Sequence, residues 1–287
     1  MMVYLNGAWL PPGEAKVSVM DRGFLFGDGI YEVIPVYSRR PFRLAQHLER
    51  LAHSLAAVRI ANPHGPAEWE SLIQHIVASA EWEDQSVYLQ VTRGSAPVRN
   101  HAFPKDVAPT VFLMTEALTT PVPTLRELGV KVVSAADNRW HRCDIKAISL
   151  LANCLLRQQA VDEGCAETVL FRDGILTEGA AANIFAVKAG VLLAPQKNHL
   201  MLPGITYDVV LELAAHLGLP CQVRDILEEE VREADELWLS SSTKEVLPIV
   251  ELDGRSIGTG HPGPVYQAMY QAYQDFKLKV MRNGELD

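Results

Sequence analysis

Lys146 is the residue with the most direct chemical use. It ends the stretch Arg142-Cys143-Asp144-Ile145-Lys146 and stands just ahead of an uncharged run from Ala147 to Leu156. Desolvation at the mouth of an apolar segment disfavours an ammonium, and the neutral amine is the form that condenses with an aldehyde. The competing reading is a solvated lysine in the first turn of a helix. A second candidate stands in Thr177-Glu178-Gly179-Ala180-Ala181-Ala182-Asn183-Ile184-Phe185, where one acid precedes small residues and then an apolar strand. Small residues admit a large flat group close to the backbone, and a carboxylate under a pyridine ring keeps its nitrogen protonated, making the ring an electron sink. A turn with an exposed Glu178 fits the same letters.

Two places suit phosphate. Pro203-Gly204-Ile205-Thr206 opens a predicted helix, where N–H groups and a hydroxyl converge at the positive end. Ser240-Ser241-Ser242-Thr243 follows a predicted strand and offers hydroxyl and N–H donors in a row. Simple capping also accounts for a threonine at a helix start. No G-x-x-x-x-G-K-[ST] or G-x-G-x-x-G occurs, which removes the common nucleotide folds. Arg99 and His101, two apart in a predicted loop, can face one point and grip a carboxylate, or lie solvated. The nine histidines show no metal-binding spacing and the four cysteines no C-x-x-C, so no metal is expected.

The elements that must position these residues are mixed. Asn6-Gly7 predicts a hairpin between Val3–Leu5 and Ala8–Leu10. A glycine-rich loop, Gly23 to Gly29, precedes a strand over Ile30 to Tyr37. Leu48, Leu51, Leu55 and Val58 make a helical stripe within Gln46–Ile60, and Trp69 to Ala80 is a second helix. Strands are predicted at 87–92 and 110–114. Thr115 to Pro123, with its prolines and threonines, reads as an inter-domain linker. Beyond it come strand 130–134, helix 147–163, strand 168–171, a hairpin-like pair over 184–194, helix 206–217, strand 236–239 and helix 264–281. Without steady βαβ alternation the class is α+β. The expected domains are 1–118, a smaller N-terminal α/β domain, and 119–287, the cofactor-binding domain.

Lys plus Arg is 26 against Asp plus Glu at 35, a net charge of -9, which makes nucleic acid a poor partner. The start, MMVYLNGAWL, has no secretion-signal pattern, and the apolar run at 147–156 is too short to span a bilayer. A soluble cytoplasmic protein with reduced thiols is the expectation.

The segments Arg22 to Val33, His47-Leu48-Glu49-Arg50-Leu51, Lys146, Glu178 to Phe185 and Pro203 to Thr206, in this order from the N-terminus to about Gly254, resemble the fold-type-IV pyridoxal-phosphate enzymes. That family holds D-amino-acid aminotransferases, branched-chain aminotransferases and aminodeoxychorismate lyases. The resemblance implies two domains, the larger with a barrel-like sheet, and pyridoxal 5'-phosphate held as an imine on Lys146, which also shuttles the substrate Cα proton. It gives Glu178 to the pyridine nitrogen with Arg139 behind it, and Arg50, Ile205, Thr206 and Ser242 to the phosphate. Leu202 packs on the ring, and Asn183 joins the cofactor residues. Tyr31 and Thr243 fall on the substrate side. Arg99 and His101 match the pair that, with Tyr31, traps the substrate carboxylate in the D-amino-acid branch. In that branch the pair reaches in from a neighbouring subunit, which implies a homodimer. The expected activity moves the amino group of D-amino acids such as D-alanine to 2-oxo acids. Aminodeoxychorismate lyase, branched-chain L-amino-acid and R-selective amine aminotransferases are the alternatives. Ala180-Ala181-Ala182 departs from the serines of many D-amino-acid members and leaves the substrate range open.

Overall fold

Asn6 and Gly7 both take positive φ, 49° and 93°, and so turn β1 (Val3–Leu5) back on β2 (Ala8–Leu10) in the predicted hairpin. The structure, a computed structural model, describes residues 2–285. It divides into two units: residues up to Leu118 with Ile145–Leu150, and Thr119–Asp144 with the chain from Leu151 onward.

The first unit continues with α1 (Arg22–Phe26), β3 (Gly29–Tyr37), β4 (Arg40–Pro41), α2 (Leu44–Ala57), α3 (Pro66–Ser79), β5 (Gln85–Thr92) and β6 (Thr110–Ala117). Its six strands form an antiparallel sheet in the order β2-β1-β6-β5-β3-β4. Alternate residues of β3, Ile30, Ile34 and Val36, are wholly buried against Leu51 and Leu55 of α2 and Trp69, Ile73 and Ile76 of α3. Each such side chain contributes on the order of 1.5–3 kcal/mol. The predicted stripe on α2 therefore faces the sheet, with Leu48 and Val58 at its edges.

The second unit holds α4 (Pro123–Leu128), β7 (Val130–Ala136), α5 (Leu151–Asp162), β8 (Glu167–Arg172), β9 (Ile175–Gly179), β10 (Asn183–Lys188) and β11 (Val191–Ala194). It goes on through α6 (Ile205–His216), β12 (Cys221–Val223), α7 (Glu228–Arg232), β13 (Glu236–Ser241), β14 (Glu245–Leu252), β15 (Arg255–Ser256) and α8 (Pro264–Phe276). The sheet runs β12-β11-β10-β13-β14-β7-β8-β9, with β15 on β14, and curls as a half-barrel. Strand β7 lies parallel to β14 and β8. Val132, Val169, Ile184, Leu237, Leu239 and Ile249 fill its inside. The α+β class holds.

Three local expectations give way. The helix predicted from Ala147 begins at Leu151, because residues 145–150 lie beside β3, bridged at Ile30 and Ala147, and bury Ile145 and Ala147 in the first core. The start of the predicted linker, Thr115 to Ala117, is the end of β6. Arg22–Phe26 is a short helix rather than loop, capped by the Asp21 side chain and closed by Gly27 at φ 64°. Strand β14 carries Pro248 opposite Trp238, and a proline inside a run argues against a strand on sequence grounds. After α8 the chain makes π-helical turns over Lys277–Arg282, completing the predicted C-terminal helix.

Candidate active site

The candidate residues fall into one set per unit. In the first, Lys146 is on a strand-like segment. Tyr31 N–H donates to the Lys146 carbonyl at 2.9 Å and Ile148 N–H to the Gly29 carbonyl at 3.1 Å. Alternation then buries Ile145 and Ala147 and leaves Lys146 half-buried on the opposite side, its Nζ 4.1 Å from the centre of the Tyr31 ring. The Lys146 N–H reaches the Ser54 hydroxyl of α2 at 3.3 Å. Lys146 is therefore not in the first turn of a helix, and its amine lies over the Tyr31 ring.

Glu32, next to Tyr31, points to the core side of β3 with no exposure. A lone carboxylate there is costly, and α2 meets it with two residues three apart. Arg50 donates from Nε at 2.8 Å and from Nη2 at 2.7 Å, and His47 Nδ1 lies 2.8 Å away. Burial alone would raise the Glu32 pKa, yet the Arg50 charge and these hydrogen bonds outweigh it and hold it at about 2. Glu32, itself held by His47, is therefore the partner that orients Arg50. The readable signal was His47-x-x-Arg50 on one helical face. Arg99 and His101 lie exposed in the loop between β5 and β6, both against the Phe26 ring, at 4.9 Å and 5.3 Å.

In the second unit Glu178 is not in an exposed turn. It sits on β9 and is 5 % exposed. One carboxylate oxygen takes an ion-paired hydrogen bond from Arg139, and the other accepts from the Leu202 N–H at 3.1 Å and from Asn183 at 3.4 Å. Asn183 also donates to the Leu202 carbonyl at 3.0 Å. Four predicted residues, Glu178, Arg139, Asn183 and Leu202, are thus one cluster. Burial pushes Glu178 up to about 7 against the pull of Arg139. Burial works against the Arg139 cation, but Asp137 and Glu178 more than compensate and raise it.

Sequence reasoning missed Asp137. Its carboxylate binds Arg139 through two nitrogens at 2.9 Å and 2.8 Å and accepts from the Thr177 hydroxyl at 2.9 Å. Arg172 approaches it at 3.1 Å. The guanidinium facing Glu178 is therefore locked in place from behind. Asp137-x-Arg139 was the one local signal; Thr177 and Arg172 are joined to it only by the β7–β8 and β8–β9 pairings.

Ile205 and Thr206 open α6 behind Gly204, an N-cap residue that supplies no side-chain cap. Gly204 is required by proximity: a Cβ there would lie 2.1 Å from Asn183 Oδ1. Ser242 and Thr243 stand in the turn between β13 and β14, just past Ser240, the register partner of Asn183. Ser240 Oγ is buried without a hydrogen-bond partner. The glycine-capped start of a twelve-residue helix suits an anion, and a buried carboxylate backed by a fixed guanidinium suits a protonated ring nitrogen. These groups fit a phosphorylated pyridine.

The chain belongs to the class IV aminotransferase family, whose model matches residues 29–252. The chain is 37% identical over 275 residues to a D-alanine aminotransferase of Bacillus licheniformis, covering 96% of both chains. It is 36% identical to that of Staphylococcus aureus (strain MW2), over 96% of this chain and 97% of that protein. Among solved structures, the branched-chain amino acid aminotransferase of Escherichia coli superposes with a TM-score of 0.89 at 25% identity, covering 100% and 96% of the two chains. The branched-chain amino acid aminotransferase of Thermoproteus uzoniensis with norvaline gives 0.88, at 26% identity over 99% and 97%. A further branched-chain amino acid aminotransferase, solved with pyridoxamine 5'-phosphate, gives 0.89 at 26% identity over 99% and 95%.

Proposed function

We propose that this protein moves the amino group of D-amino acids such as D-alanine to 2-oxo acids, using pyridoxal 5'-phosphate. The observation that carries the reading is the likeness to D-alanine aminotransferases along 96% of the chain. The chemistry supplied by bound pyridoxal phosphate is an electron sink for the pair left on substrate Cα. Lys146 Nζ carries the cofactor and moves the proton at Cα. Glu178, with Arg139 behind it, holds the proton at the ring nitrogen, and Asn183 fixes Glu178. Arg50, Ile205, Thr206 and Ser242 take the phosphate, and Leu202 packs on the ring. Tyr31, Thr243, Arg99 and His101 orient the substrate, the last two through its carboxylate.

The protein works in the cytoplasm as a homodimer. Leu151 and Leu155, one helical turn apart on α5, are 75% and 63% exposed, and such an apolar stripe suits a partner subunit. Among the described residues no helix is long and apolar enough to cross a membrane.

The test is to mix the yellow holoenzyme with each enantiomer of alanine and follow the cofactor spectrum. D-alanine should shift it and L-alanine should not. The solved branched-chain neighbours support a second reading. A shift with L-leucine and none with D-alanine would move that reading ahead.

A further inference from the structure

Arg99 and His101 are surface residues on a seventeen-residue connection between β5 and β6, yet the backbone that carries them is held from inside the unit. The anchor is Arg22 of α1, whose side chain is 4% exposed. Its Nη1 donates to the Asn100 and Ala102 carbonyls, and its Nη2 to the His101 carbonyl at 3.2 Å. Three consecutive carbonyls are thus taken by one guanidinium. Its remaining Nε is fixed on Asp28 at 2.7 Å.

The anchor is itself braced. Asp28 also receives Arg93 Nε and Nη2, at 2.8 Å and 2.9 Å, and Arg93 continues to the Val58 and Arg59 carbonyls. The Arg93 guanidinium lies 3.6 Å from the centre of the Phe103 ring, pinning the far side of the loop. Phe26, on the same short helix as Arg22, supplies the ring against which Arg99 and His101 rest. A rigid fork with five donors suits this task, and an ammonium cannot reproduce it.

We infer that Arg22 is a positioning residue for the amino-acid carboxylate: it fixes Asn100–Ala102 so that Arg99 and His101 stand as a preformed pair, and it thereby sets selectivity for carboxylate-bearing donors. The inference rests on the reading of Arg99 and His101 as the carboxylate grip. A long exposed loop left to itself samples many conformers, and each dilutes the competent one.

The experiment compares holoenzymes of the wild type, Arg22→Lys and Arg99→Ala. Steady-state constants are measured for D-alanine. The dissociation constant of D-alaninol, which keeps the amine and lacks the carboxylate, is read from the cofactor spectrum. Tryptic cleavage after Arg99 and Lys105 is timed by mass spectrometry. Arg22→Lys should raise KM for D-alanine by roughly ten- to a hundredfold with little change in kcat. D-alaninol binding should stay within about twofold, since it does not use the loop. Cleavage of the loop should be faster. If Arg22→Lys does not fold, Asp28→Asn, nearly isosteric, should give the same selective rise at smaller size. An Arg22→Lys enzyme with unchanged KM, beside an Arg99→Ala enzyme with raised KM, overturns the positioning role and leaves the grip standing. Equal losses for D-alanine and D-alaninol mean a merely structural Arg22 and also overturn it. If Arg99→Ala itself leaves KM unchanged, the grip reading falls and takes the inference with it.

Discussion

Lys146 meets β3 through its backbone, so deleting its side chain leaves the Tyr31 and Gly29 pairings in place. Lys146→Ala should therefore fold, bind cofactor weakly and lose turnover by at least the roughly 10²–10⁴-fold of general acid–base catalysis. Retention of a few per cent of the wild-type rate, with cofactor confirmed by absorbance, would remove Lys146 from its role. Glu178→Gln keeps size and hydrogen bonding but removes the charge that holds the ring proton, so turnover should drop sharply with cofactor still bound. The same variant has a pH signature in the apoprotein. The Glu178 pKa rises on folding from 4.5 to about 7, so the folded state binds this proton more tightly than the unfolded chain. Its stabilising contribution is full below 4.5 and is lost as pH climbs through 7. The wild type should lose up to about 3 kcal/mol more than Glu178→Gln across that window, at 1.36 kcal/mol per unit. Parallel curves of Tm against pH for the two proteins would contradict the assignment.

Each element delivers a side chain through a backbone constraint of its own. The α6 entrance is set by Gly204, whose missing Cβ leaves room for Asn183 Oδ1. Gly204→Ala should push Asn183 off Glu178 and Leu202, costing about 1–3 kcal/mol as an overpacked site does, and weaken cofactor affinity. Calorimetry with a cofactor titration checks this, and an unchanged Tm with unchanged affinity would show that α6 absorbs the methyl. On α2, the three-residue spacing of His47 and Arg50 was legible as one helical face, and so was the apolar stripe beside it. What the helix meets was not legible. Glu32 faces the core only because β3 alternates with Ile30 and Ile34 inward, and that register comes from pairing with β5 and α2.

The whole molecule adds a prediction about assembly. If Arg99 and His101 serve a partner subunit, mixing Arg99→Ala with Lys146→Ala chains should restore activity above the sum of the two. Random exchange makes half the dimers mixed, each with one intact site, so about a quarter of the wild-type rate is expected. Mixtures no better than the sum, with exchange shown by native mass spectrometry, would place the pair in its own subunit's site. Much was written in local order. The Asn6-Gly7 hairpin, the stripe of α2, the phosphate-suited start of α6 and the candidates Lys146, Glu178 and Arg99/His101 all follow from residue types at short spacing. Periodicity and turn chemistry act over a few residues, so short windows of sequence contain them. The tertiary structure alone decided the environment of those candidates. It put Lys146 on a non-helical segment bridged to β3, ahead of the apolar run that suggested a helix, because β3 offered backbone partners. It buried Glu178 against Arg139, 39 residues away, with Asp137 behind. It also closed Arg22 over carbonyls 78 to 80 residues further along. Contacts at such separations depend on how the sheets pair, and no local pattern of letters specifies them.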